Sequence, residues 1–116
     1  MTNNIDNVIV LITSDKIGSG SDELGLVLMK NFLKNIKTTA IKPSILIFLN
    51  AGINLTTEPT PIINDLKELE ATGIRILSCG TCLDYYNAKD KLLVGSTTNM
   101  GEIVSLLVTA KHTISI

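Results

Sequence analysis

The sequence predicts an α/β fold: a mainly parallel sheet with helices on both faces. Three observations carry that expectation. Val8–Ile12, Ser44–Asn50 and Ile74–Leu77 are short, almost continuous apolar runs, as expected of strands covered on both sides. Segments with helical spacing or helix caps separate them, so strand and helix alternate. Small or polar residues follow the strands, where loops that carry function gather in open α/β sheets. The 116 residues fit one domain, spanning 1–116.

Val8-Ile9-Val10-Leu11-Ile12 opens the pattern. It passes into a loop from Thr13 to Ser21 that contains Ser14, Asp15, Lys16, Gly18, Ser19 and Gly20. A helix is expected over Asp22 to Lys37, with Leu24, Val27, Leu28, Phe32 and Ile36 as its apolar set. The loop has the look of a phosphate-binding turn, but Glu23 stands at the third glycine position of the dinucleotide fingerprint. No Gly-Lys-Ser/Thr follows either. The loop therefore reads as a flexible connection or as an anion-friendly wall of a cleft.

Thr38 to Pro43 is a polar connector, and Asn50 marks the carboxyl end of the second strand. Ala51 to Pro59 reads as a loop. Thr60 as N-cap and Pro61 at the first helical position open the next helix. Its buried face is Ile62, Ile63, Leu66 and Leu69, with Lys67, Glu68 and Glu70 in water, and Gly73 closes it. After Ile74–Leu77, Thr81 with Asp84 three residues on resembles a capping box, starting a short helix that ends near Asn87. Leu92-Leu93-Val94 reads as a brief fourth strand and Gly95–Thr98 as a turn. Asn99, with Glu102, caps a last helix whose stripe is Ile103, Leu106, Leu107 and Ala110. His112–Ile116 closes the sheet.

Composition removes several function classes. The net charge is −1, with Lys and Arg scattered, so no basic patch for nucleic acid or an anionic membrane is expected. Two Phe, two Tyr and no Trp are few for a protein that stacks on single strands. The longest apolar runs are five residues, far short of a membrane span. Met1 to Asn7 lacks the basic and apolar regions of a signal peptide, so the expectation is a cytoplasmic protein.

The chemistry is expected at Cys79-Gly80-Thr81-Cys82, where a strand turns into a helix. Backbone N–H groups at a helix start favour an anion, and such positions lower a thiol's pKa. Buried cysteine is common, so the bland alternative is a core role in a non-catalytic oligomeric scaffold or binding module whose cysteines are incidental; Gly80 and Thr81, both turn residues, argue for a loop. Structural zinc wants four Cys or His ligands, and the chain offers only Cys79, Cys82 and His112. Neither a metal nor a cofactor is expected. Thioredoxin-type exchange suits a Cys-x-x-Cys turn, but the motif comes after the third strand and no Trp precedes it. A receiver domain would want an acidic nucleophile where Cys79 stands. Sulfur relay needs an exposed nucleophilic cysteine, expected to be Cys79, with Cys82 as a second thiol that resolves a persulfide. Asp84 opposes a low pKa, and Lys16 is the candidate cation. Ser14, Asp15, Lys16, Gly18, Ser19, Gly20, Asn50, Gly80 and Thr81 would line the cleft if the first three strands are neighbours.

Leu77-Ser78-Cys79-Gly80-Thr81-Cys82-Leu83-Asp84 and the order of elements resemble the DsrE/DsrF-like sulfur-relay family. The nearest likeness is to the DsrE-like C-terminal domain of YedF-type proteins, often labelled selenium metabolism proteins. Gly18–Gly25, Phe48–Gly52 and Gly95–Met100 extend it over nearly the whole chain from about Val8. The resemblance implies a three-layer α/β/α domain with a five-stranded sheet, often in homo-oligomers, here a dimer or trimer. It implies a persulfide on Cys79, with Cys82 an extra cysteine of some branches. Tyr86 and Asn87 stand where several DsrE-type chains carry Arg-Gly, which removes a cation. YedF-type proteins usually begin with a small sulfur-carrier domain bearing Cys-Pro-x-Pro; this sequence has none, so the expectation is either a stand-alone form or a fragment, and the resemblance offers a carrier with that motif as a partner.

Overall fold

Residues 7–116 are described in a computed structural model of the chain. The segment read above for targeting signals lies outside them, apart from Asn7. The strands are β1 (Val8–Ile12), β2 (Ile45–Phe48), β3 (Arg75–Cys79), β4 (Ser96–Thr98) and β5 (His112–Ser115). The helices are α1 (Asp22–Ile36), α2 (Asn54–Thr57), α3 (Ile62–Ala71), α4 (Gly80–Tyr85) and α5 (Met100–Thr109), with 3-10 turns at Asn50–Ile53 and Lys89–Lys91. All pairings are parallel, in the order β4-β3-β2-β1-β5. The first three strands are thus neighbours.

Alternation along each strand divides the core between the two faces, because successive side chains point to opposite sides. Val10, Ile12, Leu46, Phe48 and Ile76 pack with Met29 and Leu33 of α1 and Leu66 and Leu69 of α3. Ile9, Ile45, Ile47, Leu77 and Cys79 pack on the other face against Ile103 of α5. The result is the three-layer α/β/α arrangement with a five-stranded sheet. The direction of strand addition switches between β1 and β5. There the carboxyl end is occupied by Thr13, whose N–H and Oγ1 both bond Ile116 O at 3.1 Å. Among the described residues no helix is long and apolar enough to cross a membrane.

The Asn99 cap matches its sequence signal, Asn99 Oδ1 accepting the Glu102 N–H. Thr60 Oγ1 accepts the Ile62 N–H, with α3 starting at Ile62 and Pro61 in the cap position. Ser21 Oγ caps α1 by accepting the Leu24 N–H. Gly73 and Asn87 take positive φ, 103° and 54°. Four expectations need correction. The buried face of α1 is Gly25, Met29, Leu33 and Ile36, while Leu24, Val27 and Leu28 are exposed. Gly25 fixes that rotation: a Cβ there would sit 2.8 Å from Lys16 Cβ, so only glycine lets the helix press on the first loop. Ala51–Pro59 is not a plain loop, since a 3-10 turn and α2 occupy most of it. The fourth strand is Ser96–Thr98 rather than Leu92–Val94, which serves as the connector into it. Gly95, at φ 75°, makes this possible by lying against Ile76, whose carbonyl oxygen would be 2.3 Å from a Cβ. Finally, α4 begins at Gly80 with Cys79 in the N-cap position and no side-chain cap bond, so Thr81 is not its cap.

Candidate functional site

The two cysteines are free, and the strand decides how differently they are placed. β3 runs to Cys79, in register Leu77↔Ser96, Ser78↔Thr97 and Cys79↔Thr98 with β4. The third strand therefore extends two residues beyond the apolar run Ile74–Leu77. Cys79 shares the parity of Leu77 and points under α5, where it is 1% exposed. The expectation of an exposed sulfur at Cys79 is corrected on that ground: the residue belongs to the ladder, not to the turn. Cys82, one turn into α4, is half-buried and lies at the meeting of both core clusters.

Cys82 opens into a hollow of about 370 Å³ lined by Asn50, Thr81, Cys82, Tyr85 and Tyr86. The Asn50 N–H donates to Cys82 Sγ at 3.1 Å, and Tyr86 OH donates to Asn50 Oδ1 at 2.8 Å. Asn50 holds a left-handed φ of 51°, which asparagine tolerates better than most residues. Tyr85 and Tyr86 meet edge to face, their ring centroids 5.2 Å apart. Burial pushes the Cys82 thiol above its ordinary value; the Asn50 N–H works against this, and the neighbouring Cys79 thiol reinforces it. Cys82 is thus not a depressed thiol. α4 has only six residues, too few for a strong dipole, and part of the sulfur is removed from water.

The expected cleft divides into two. Asn50, Thr81 and Cys82 come together as the sequence suggested, with Gly80 beside them under the backbone of Thr98. Ser14, Asp15, Lys16, Gly18, Ser19 and Gly20 do not line that hollow. Asp15 faces a separate one of about 290 Å³, walled by Leu26, Val27, Leu55, Pro61 and Ile62. There Asp15 pairs with Lys16 at 3.4 Å and accepts from Asn54 Nδ2 at 3.2 Å. Ser14 Oγ accepts the Lys16 N–H at 3.1 Å, which turns the loop, and Gly18 and Gly20 have open space about them. Two strand spacings, roughly 10 Å, separate the ends of β1 and β3, and the turn after β2 fills the interval. Lys16 is therefore no partner for the thiol. Asp84 faces Lys89 instead, at 3.7 Å on the surface. His112 lies on the edge strand β5, with β1 and β2 between it and the cysteines, so the three possible zinc ligands do not meet.

Three contributors have no place in the sequence reading of the site. Tyr86 was noticed only as a replacement for arginine, and Tyr85 not at all. Both of the chain's tyrosines stand side by side directly after the cysteine pair, a signal that was available. Thr56 was lost within a presumed loop. It is fully buried, and its Oγ1 meets Ser78 Oγ at 2.8 Å, joining α2, which follows the Asn50 turn, to the strand that ends at Cys79.

The model of the DsrE/DsrF-like family matches residues 6–116, and the chain belongs to that family. Solved structures with the same fold include the ychN protein from E. coli, at 13% identity and TM-score 0.75, covering 96% of this chain and 99% of that one. Another is MTH1491 from Methanobacterium thermoautotrophicum, described as a protein of unknown function, at 20% identity and TM-score 0.70, covering 95% and 98%. A third is the conserved protein of unknown function BT1422 from Bacteroides thetaiotaomicron, at 15% identity and TM-score 0.71, covering both chains fully. At these identities the likeness establishes the fold alone. No curated protein matches the sequence.

Proposed function

We propose that this DsrE/DsrF-like chain relays sulfur or selenium, and that Cys82 rather than Cys79 is the atom that meets the donor. The observation that carries the assignment is the contrast between a sealed Cys79 and a Cys82 that borders an open hollow and already accepts a backbone N–H. The family's association with sulfur relay supports the reaction class.

In the loading step the Cys82 thiolate attacks the outer sulfur of a donor persulfide, R–S–SH. A Cys82 S–S bond forms, the donor's S–S bond breaks, and the donor leaves as a thiolate. No net oxidation occurs. The raised thiol pKa means that deprotonation accompanies docking or demands alkaline pH. Cys79, packed beside Cys82, offers a second outcome. Its thiolate attacks the inner sulfur, a Cys79–Cys82 disulfide forms, and the outer sulfur departs as HS⁻, carrying the two electrons that the thiols lose. An external dithiol then resets the pair. This is the point at which relay meets the dithiol-exchange reading.

The proposal retains a YedF-like setting, with a carrier bearing Cys-Pro-x-Pro as donor or acceptor, on the strength of the sequence motifs. It also retains a homo-oligomer, supported by exposed Val104 and Val108 on α5 and Leu24 and Val27 on α1. Intact mass after incubation with a small-molecule persulfide tests the central claim. Cys79→Ala should gain one sulfur atom, the parent either that atom or the loss of two hydrogens that marks the Cys79–Cys82 disulfide, and Cys82→Ala neither. An adduct kept in Cys82→Ala and lost in Cys79→Ala would return the role to Cys79. No adduct on any variant would end the relay reading.

A further inference from the structure

The turn after β2 does more than border the hollow. It touches α4 at two points. At one, a main-chain donor meets a sulfur: the Asn50 N–H reaches Cys82 Sγ at 3.1 Å. At the other, a side-chain acceptor meets a phenol: Asn50 Oδ1 receives Tyr86 OH at 2.8 Å. Tyr86 caps the C-terminus of α4, four residues after Cys82, with its N–H on Cys82 O at 3.1 Å. One residue of the turn is thereby gripped by both.

The conformation of that residue is unusual. Asn50 is a non-glycine residue at φ 51°, a state that persists where surrounding contacts over-determine it. The next bond along, Gly52 N–H to Leu49 O at 2.8 Å, closes the 3-10 turn. Gly52 is pressed so closely on β1 that a Cβ would lie 2.3 Å from Ile12 O. The turn is therefore fixed on the β1 side by packing and on the α4 side by Tyr86. The donor between these anchors is the one aimed at the sulfur.

We infer that Asn50 and Tyr86 are positioning residues for Cys82: Tyr86 holds Asn50 in its left-handed state so that the Asn50 amide N–H stabilises negative charge on the sulfur. The inference rests on Cys82 being the reactive sulfur of the proposed relay, and it specifies what sets that reactivity. A hydrogen bond to an ionised acceptor is stronger than one to a neutral acceptor, so the donor favours the thiolate over the thiol. The other titratable groups about Cys82 are Cys79 from β3, Tyr85 of its own helix and Tyr86 at that helix's cap. Asp84 is turned to Lys89, and the turn 50–53 brings no charge. Among the groups acting on the thiol, only the Asn50 N–H favours the anion.

The test is the pH dependence of Cys82 alkylation by iodoacetamide, followed by mass. Tyr86→Phe removes one hydroxyl from a partly exposed ring. Asn50→Gly keeps the amide and the left-handed backbone but frees the turn. Each should shift the midpoint upward by about half a pH unit, lowering the rate below the midpoint about threefold, as expected for loosening a bond to a charged group. A residue that merely supports the fold would alter the melting temperature and leave the midpoint in place. Unchanged midpoints in both variants would overturn the inference. The readout needs no sulfur donor. A shifted midpoint in a protein that never takes up sulfur would therefore sink the relay and leave the positioning role standing. Normal sulfur uptake with no shift would do the reverse.

Discussion

Gly52→Ala sets two physical effects of opposite sign against each other. Gly52 has no left-handed φ, so alanine can adopt its backbone conformation. On chain entropy alone the substitution should stabilise by about 0.4–1 kcal/mol, because it narrows the unfolded ensemble. Sterics oppose this. The added Cβ would lie 2.3 Å from Ile12 O and 3.1 Å from Ile12 C, whereas ordinary contact begins at 3.4 Å. The oxygen must yield by roughly 1 Å, and it is backbone, so no rotamer change relieves it. It is also the acceptor for Leu49 N–H at 2.9 Å, a bond worth about 1 kcal/mol net. Overpacking costs about 1–3 kcal/mol, so with the weakened bond less the entropy gain the expected loss is about 2–3 kcal/mol. For a domain of this size that is a fall in Tm of roughly 8–12 °C. Urea unfolding and thermal melts by circular dichroism measure it. Gly20→Ala is the control: nothing lies within 4 Å of its added Cβ, and it should hold steady or gain about 0.4–1 kcal/mol. If Gly52→Ala is as stable as the parent, the close approach of the turn to β1 is wrong, and with it the anchoring of Asn50.

Two further outcomes follow from side chains near the site. Thr56 Oγ1 donates to Ile53 O at 3.0 Å, so its single hydrogen is committed and Ser78 must be the donor across their 2.8 Å contact. Thr56→Val then orphans a buried hydroxyl and should cost about 1–3 kcal/mol, while Ser78→Ala should cost only about 1, as read from urea midpoints. Equal costs would refute that donor assignment. The Thr98 hydroxyl, followed by burial acting the other way and by Arg75, holds the Glu102 carboxyl below the usual glutamate range. A carboxyl depressed on folding stabilises above its unfolded pKa, and that contribution disappears as pH falls through the folded value. Thr98→Val should return the Glu102 titration, followed by NMR, toward the ordinary range and flatten the acid limb of stability; an unmoved titration would count against the contact.

The sheet was legible because its strands announce themselves. Val8–Ile12 and the core of Ser44–Asn50 are apolar at every position, a pattern few other elements produce. Two helix ends were legible for the same local reason: Asn99 and Gly73 act within one turn of chain. What failed was whatever depends on contacts distant in sequence. Leu24, Val27 and Leu28 have helical spacing as good as the true face, and only the approach of Lys16 to Gly25 selects between them. Ser96–Thr98 is a strand because β3 offers it partners, not because Ser-Thr-Thr prefers extension to the apolar Leu92–Val94. Within the site, the Cys-x-x-Cys pair and Asn50 were visible as residue types. Which sulfur faces out was not, because it turns on whether β3 ends at Leu77 or at Cys79. One β4 pairing decides that.

Thr56 has a consequence for anyone wishing to re-engineer the chain. Besides its hydroxyl contact with Ser78, its carbonyl receives the Leu93 N–H at 2.9 Å. The connector 92–95 looks like ordinary surface loop, yet it is knotted to α2 and through α2 to β3. Splitting the polypeptide there, or grafting a foreign epitope into it, would unpick three segments together. The neighbourhood of Gly18 and Gly20, where an added Cβ would meet nothing within 4 Å, is where new termini or an inserted domain belong.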